Sequence, residues 1–396
     1  MKIFTFQKAT FIIFAFLYLF ITIILVNMVT PNFILGLDMR AFYTSGLMVN
    51  HGVVFNFYDF STQYFWQKTI FPLPAIELLM PFFNPPFVAL IFSPLALLPV
   101  KNAYVVFSVL NIFISLITFH LIISKVYKKA EKSKYFLSLA FILFFFPVWM
   151  TIIQGQLSFL ILLGFVASWY LFKQERSFLA GVAIALLWVR PQLILLPLLF
   201  LIFKKQWRAF LGLCVASVIL GLISVYVVGI AGVISYMHVL SNITSLGDSY
   251  TVHPQLEPTL RGFLQTIFRT NILSDVIIPL IIGMFLAFST LVFSFRGKFE
   301  PKTTKFDLQW GMLIVAVILT SLHTNFHDLV FLIFPCLILL RLIKKFPASY
   351  LFVQIICLWL LLIVNIPSLS AILLLILLLV FARLLLKNNI KVEKKH

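Results

Sequence analysis

Charge is scarce in this 396-residue chain: 11% of its residues are charged and only 12 are acidic. A soluble globular domain carries about a quarter charged residues, because its surface needs polar cover. The deficit excludes soluble, disordered and fibrous classes. Cysteine is nearly absent too. Cys214, Cys336 and Cys357 all stand inside apolar runs, with no metal or redox spacing between them, and read as small core residues. What fills the chain is apolar: 62% hydrophobic residues and a mean hydropathy of +1.10. The apolar residues come in long runs and do not alternate, which excludes an outer-membrane barrel. The remaining class is an all-α polytopic membrane protein.

The charge that is present is one-sided. There are 30 Lys+Arg and the net charge is +18. In a soluble chain that surplus would suggest nucleic acid. Here the basic residues form short clusters between apolar runs, and base-reading motifs are absent, so no nucleic-acid partner is expected. The pattern follows the positive-inside rule. Spans are expected near 9–29, 102–124, 135–150, 157–172, 178–189, 193–203, 209–231, 273–295, 308–322, 329–343, 348–366 and 371–386, about twelve in one integral domain covering 1–396. Residues 9–29 are too long an apolar run for a signal-peptide core and read as an uncleaved anchor.

Segment 86–100 is apolar but short and holds Pro86, Pro94 and Pro99. If it spans, Lys125, Lys128 and Lys129 fall outside with several later clusters. If it does not, the clusters at 2–8, 125–134, 173–176, 204–208, 296–305, 341–345 and 383–395 all fall inside. It is therefore read as an interfacial or re-entrant helix of the outer side. Both termini are then cytoplasmic, with a basic tail at 387–396. The outer side holds a long first loop, 30–101, a second at 232–272, and short turns at 154–156, 190–192 and 323–328.

Polar groups that are costly at a membrane gather on those outer segments. Asp38 lies in LDMRAFYTSG, where helical spacing puts Asp38, Phe42 and Ser45 on one face. An Asp there also serves as a simple helix cap. Tyr43, Tyr58 and Asp59 follow in the same loop, where such aromatics suit an interface. Gln154 and Gln156 flank Gly155; two amides around a glycine suit hydroxyls or phosphate, or a plain polar turn. Arg190, before Pro191, can snorkel to headgroups or clasp a phosphate with its fork. His323 and His327 are four apart, so a helix would put them on one face; Asp328 follows. Without a Glu between them and a further ligand this pair is a weak zinc signal, and no metal is expected. Hydrogen bonding to a carboxylate or phosphate fits them better.

Taken in order, LDMRAFYTSG with Gly52 and Tyr58-Asp59, the stretch NPPFVALIFSPLALLPVKNAYVVFSVLN, Gln154-Gly155-Gln156, RPQLILLPLLFLIFKKQWR and His327-Asp328 resemble glycosyltransferase family 87. These are the polyprenyl-phosphate-mannose-dependent mannosyltransferases of GT-C fold. The likeness covers the order of elements over roughly residues 10–340. Two positions differ: Ser158 stands where the family usually has Asn, and Arg190 where it commonly has Lys.

The resemblance implies a mechanism. Asp38 is the general base, an acceptor hydroxyl attacks the anomeric carbon of a lipid-phosphate sugar, and the configuration inverts. Arg190, His327, Gln154 and Gln156 are then the candidates for donor phosphate and sugar, and Tyr43, Tyr58, Asp59, His323 and Asp328 the supporting residues. The partners implied are a polyprenyl-phosphate-linked sugar donor, a glycolipid or glycan acceptor and membrane lipids, at the outer face of the plasma membrane. No cofactor is expected, since the donor is already lipid-linked; this agrees with the lack of a Gly-rich phosphate loop. Two other classes suit the composition: a lipid-linked sugar transporter or flippase, and a different lipid-linked-glycan ligase or polymerase. A transporter usually shows repeated halves and midplane charges, and neither is visible here.

Overall fold

The computed structural model describes residues 2–29, 37–71, 79–127, 132–242, 256–268, 297–342 and 367–393, with part of 281–292. Every regular element among the described residues is helical. The first helix, α1 (Lys2–Met28), runs through the anchor segment. The described residues 37–71 and 79–99 then form short elements only: α2 (Met39–Asn50), α3 (Phe60–Ile70), α4 (Pro86–Phe92) and a 3₁₀ turn at Leu95–Leu97. The seven residues of α4 rise only about 10 Å, well short of a bilayer core. Proline sets both its limits: Pro86 opens the first turn, and Pro94 follows its end.

Next come α5 (Val100–Val126), α6 (Lys132–Phe144), α7 (Phe146–Ile153) and α8 (Ser158–Lys173). They are followed by α9 (Ser177–Ile184), 3₁₀ turns at Ala185–Val189 and Pro191–Leu193, α10 (Leu195–Phe203) and α11 (Trp207–Asn242). The last described elements are α12 (Leu260–Phe268), α13 (Thr304–Thr320), a 3₁₀ turn at Phe326–Leu332, α14 (Ile333–Leu342) and α15 (Ser370–Glu393).

By length and composition, four described helices can cross a membrane: α1, α5, α11 and α15. A fifth crossing arises if α6 and α7, bent by 44° at Phe145, count as one. The twelve expected spans are thus not matched one for one. Segments 273–295 and 348–366 lie mostly or wholly outside the described residues. The expected break at 190–192 is present, but the spans 178–189 and 193–203 are shorter as regular helix: α9 ends at Ile184 and α10 begins at Leu195, with a 3₁₀ turn on each side of Arg190. α13 is only 17 residues, nearly all of them buried, so protein and not lipid is its surrounding.

Small residues set the closest packing. A Cβ on Gly181 of α9 would stand 1.8 Å from Ala209 O of α11, and one on Gly212 would stand 2.0 Å from Phe178 O. Likewise a Cβ on Gly46 of α2 would meet the Phe92 backbone at 2.5 Å. Backbones can approach this closely only where side chains are missing.

The two ends of the helical body differ in chemistry. At one end Asp307, at the start of α13, is 1% exposed. It accepts from Trp169 Nε1 at 2.8 Å and pairs with Lys173 Nζ at 2.6 Å and Arg341 at 3.4 Å. Lys204 is tied to Gly297 O at 3.0 Å at the foot of α10. Burial first, then Lys305, lowers the Lys204 ammonium to about 8. The sixteen residues of α8 carry the chain about 24 Å from Lys173 to Ser158. Asp38, Gln154, Gln156, Arg190, His323, His327 and Asp328 are gathered at that other end.

Candidate active site

The site is organised around the break between α7 and α8. Gly155 there has φ of +65°, a left-handed turn that favours glycine. A Cβ on it would lie 2.9 Å from Met39 Cβ. The turn therefore sits directly against the start of α2, and two bonds lock it there. Met39 N donates to Gln154 O at 3.1 Å, and Asp38 N donates to Gln154 Oε1 at 3.4 Å.

Asp38 is the N-cap residue of α2, yet its side chain makes no capping bond. Its carboxylate instead accepts from Gln156 Nε2 at 2.5 Å. The other end of the same amide, Gln156 Oε1, accepts from Arg190 Nη2 at 3.1 Å. Gln156 is thus a bridge between base candidate and cation, and its orientation is fixed by both.

Asp59 does what Asp38 does not. It caps α3, accepting from Thr62 N and Thr62 Oγ1 at 2.8 Å each and from Ser61 Oγ. Bonds from Ser61 and Thr62 outweigh the burial effect and hold its carboxyl below the usual range. It is exposed and takes no part in lining the cleft described below. Tyr43 donates to Leu98 O at 2.8 Å, fastening α2 to the turn after α4. Tyr58 donates to Asn84 O at 2.7 Å, and Asn84 in turn donates to Val189 O at 2.9 Å. Burial raises the Tyr58 phenol well above its ordinary value, so it stays a donor.

Arg190 emerges between the two 3₁₀ turns and is 9% exposed. Its guanidinium pairs with Asp328 through Nη1, and Nη2 reaches His327 Nε2 at 2.9 Å. A guanidinium only donates, so His327 Nε2 carries the lone pair and the ring proton is on Nδ1. Burial agrees with this, holding the His327 pKa below its ordinary value. Asp328 is fully buried. Burial pushes its pKa up, but the Arg190 charge, with bonds from Ser158 Oγ at 2.7 Å and Asn325 N at 2.9 Å, outweighs it and the net shift is down. The two positions that differ from the family pattern, Ser158 and Arg190, therefore touch the same carboxylate.

His323 and His327 do not share a face. α13 ends at Thr320 and the next turn is a 3₁₀ helix beginning at Phe326, so the helical spacing is broken between them. His327 turns to Arg190, whereas His323 Nδ1 lies 2.6 Å from Glu257 Oε1. Glu257 was not singled out from the sequence. The available signal was an acid between Pro254 and Pro258, in a chain with only 12 acids.

An open cleft of about 610 Å³ is lined by Asp38, Asn84, Gln156, Arg190, Gln192 and His323, with Phe42 and Phe83 among its apolar walls. Beside it lies an apolar groove of about 660 Å³ between α4, α8, the 185–189 turn and α11, walled by Ile91, Leu160, Leu186, Val189, Leu220 and Ile223. Val189 belongs to both. A carboxylate, a cation and neutral donors thus face one polar space, and an apolar groove lies against it across the shared wall of Val189.

No curated protein and no solved structure matches the chain. The family model of glycosyltransferase family 87 matches residues 82–322, more than half of the chain. That range takes in Asn84, the 154–156 turn and Arg190; Asp38 precedes it, and His323, His327 and Asp328 follow its end. With the match running through the core of the site, the chain belongs to glycosyltransferase family 87 and is a membrane glycosyltransferase.

Proposed function

We propose that the enzyme transfers a hexose, mannose by resemblance, from a polyprenyl-phosphate sugar to a hydroxyl of a glycolipid or glycan acceptor. The observation that carries this reading is the shared wall at Val189. A donor with a charged phosphate and a long prenyl tail needs a polar cleft continuous with an apolar groove. The tail lies along the groove between α8 and α11, and the phosphate enters the cleft near Arg190 and His327.

Asp38 is the base. Its carboxylate takes the acceptor hydroxyl proton while the hydroxyl oxygen bonds to the anomeric carbon. The bond from that carbon to the phosphate oxygen breaks, and the lipid phosphate leaves with the electron pair. Attack from the face opposite the leaving group inverts the configuration. Positioned general bases contribute about 10²–10⁴-fold, and a cation at the leaving phosphate stabilises charge as it develops. Arg190 is half-committed to Asp328, so its remaining N–H groups and the neutral donors around it carry that task; no metal or cofactor enters.

The site end is assigned to the outer face of the plasma membrane and the Asp307 end, rich in Lys and Arg, to the cytoplasm. The short buried helices complete a body of about twelve crossings with both termini inside. The test is transfer of labelled mannose from undecaprenyl-phosphate mannose in membranes containing the protein. Transfer that depends on Asp38 supports the reading; movement of the lipid-linked sugar across the bilayer without any transfer would replace it with a flippase.

A further inference from the structure

The pair Glu257–His323 has no role in the reaction as derived above. Glu257 stands just before α12 and is 1% exposed, whereas the His323 side chain is 21% exposed and lines the cleft. Their separation is 2.6 Å. A carboxylate accepts, so the His323 proton on that side is fixed on Nδ1, and Nε2 is left as the polar edge of the ring. The backbone behind the ring is also held. Gln192 Nε2 donates to His323 O at 2.9 Å, and Arg261 Nη1 donates to Leu322 O at 3.0 Å. The carboxylate and the guanidinium come from one segment, 256–268, and the amide from the turn after Arg190; the carboxylate holds the imidazole, and the other two hold the backbone behind it.

The polar groups behind the ring are incompletely paired. Glu257 Oε2 and Thr324 Oγ1, beside this imidazole in sequence or contact, are buried without any hydrogen-bond partner in the protein. Arg261 Nε and Gln265 Oε1, on the helix that follows Glu257, are in the same condition. An orphaned buried polar group costs about 1–3 kcal/mol, and native structures keep few of them. These atoms lie behind the ring and do not line the cleft, so the edge of His323 is the part of this cluster that a ligand in the cleft can reach.

Charge decides what that ligand is. An imidazole backed by a buried carboxylate presents a lone pair with negative charge behind it. With the ring proton on Nδ1, that edge accepts from a hydroxyl. We propose that Glu257 and His323 form a sugar-hydroxyl recognition pair, separate from the Arg190–His327 region: His323 Nε2 accepts from a hexose hydroxyl, and Glu257 is the residue that positions it. This rests on the glycosyltransferase reading for its choice of sugar. The hydroxyl belongs either to the hexose of the donor or to the acceptor, and binding measurements separate the two.

The purified full chain is titrated with octyl α-mannoside, with undecaprenyl-phosphate mannose and with undecaprenyl phosphate that carries no sugar. Wild type is compared with His323→Ala, Glu257→Ala and Glu257→Gln. The expected result is a tenfold or greater rise in Kd for one sugar-bearing ligand in both alanine variants. The glutamine variant restores binding in part, since its carbonyl still accepts from Nδ1. Undecaprenyl phosphate binds each variant as it binds wild type. A rise for the octyl glycoside assigns the pair to the acceptor, and a rise for the sugar-bearing donor alone assigns it to the donor hexose. Unchanged sugar binding in His323→Ala overturns the pair. Equal weakening of all three ligands overturns it too, because a merely structural role or a phosphate site would act that way. Binding without any transfer by wild type sinks the transferase reading and leaves the pair standing.

Discussion

Two aspartates at helix starts separate a structural role from a chemical one. Asp38 and Asp59 are both N-cap residues, at α2 and α3. Asp59 makes the capping bonds to Thr62 at 2.8 Å, and Asp38 makes none. Replacing a bonded cap costs about 0.5–2 kcal/mol of stability, so Asp59→Ala loosens α3 and lowers thermal stability while leaving catalysis nearly intact. In Asp38→Asn no cap bond is lost, and an Asn carbonyl can still accept from Gln156 Nε2. Only the dipole contribution at the start of α2 goes, about 0.3–1 kcal/mol. The lost base, by contrast, costs about 10²–10⁴ in rate, or roughly 2.7–5.4 kcal/mol of transition-state stabilisation at about 1.36 kcal/mol per tenfold. The assay is initial-rate transfer of labelled mannose from undecaprenyl-phosphate mannose, normalised to folded protein, with unfolding followed in detergent. The refuting result is Asp38→Asn with more than a tenth of wild-type kcat. An activity loss in Asp38→Asn matched by an equal loss of folded protein refutes it as well, since the residue would then be structural.

Removing one partner of a fully buried ion pair costs about 3–5 kcal/mol, so Asp328→Ala and Arg190→Ala each reduce unfolding midpoints sharply, and the double variant falls less than the sum of the two; additive losses in a double-mutant cycle would show the pair to be uncoupled. Because His327 is held neutral by burial, its contribution to stability is whole above the ordinary imidazole pKa of about 6.5 and is lost as pH falls through the lower folded value. Unfolding midpoints of wild type should decline on acidification below about pH 6.5, and His327→Gln should flatten that decline. Gly181→Val, which forces a side chain onto Ala209 O, should abolish folded protein in detergent extracts, whereas Gly221→Val, with open space around it, should not. In a cysteine-free background, Lys101→Cys should react with an impermeant thiol reagent from outside and Lys125→Cys only after permeabilisation; the 27 residues of α5 put them about 36 Å apart, and labelling of both from one side would break the assigned topology.

What the sequence made legible, and what it hid, follows from the range over which each signal acts. Membrane class, the anchor, α5, α11 and α15 were visible because long apolar runs are local and need no partner. The break at Pro191 was visible as well, but the bend after Phe144 and the 3₁₀ turn at 185–189 were not, since a helix walled by protein has no need of twenty apolar residues. At the site, Asp38, Gln156, Arg190, His327 and Asp328 could be named because each is a costly polar group in an apolar chain. The connection among them could not. The links of the bridge Asp38–Gln156–Arg190–Asp328 join residues 118, 34 and 138 positions apart, and no periodicity encodes such contacts. Glu257 was missed for the same reason: its partner is 66 residues away.

The distant contacts also give physical sense to the two departures from the family pattern. Ser158 and Arg190 both donate to Asp328. A short hydroxyl leaves room beside a buried carboxylate, and a forked guanidinium spans from that carboxylate to Gln156 and His327 at once, as a point-like ammonium does not. The two differences are therefore best treated as one coupled unit. If so, Arg190→Lys alone should lose more transfer activity than Arg190→Lys combined with Ser158→Asn, because the longer amide supplies a second donor to Asp328 and frees the ammonium for the cleft. Equal activity of the single and the double variant would show the two positions to be independent.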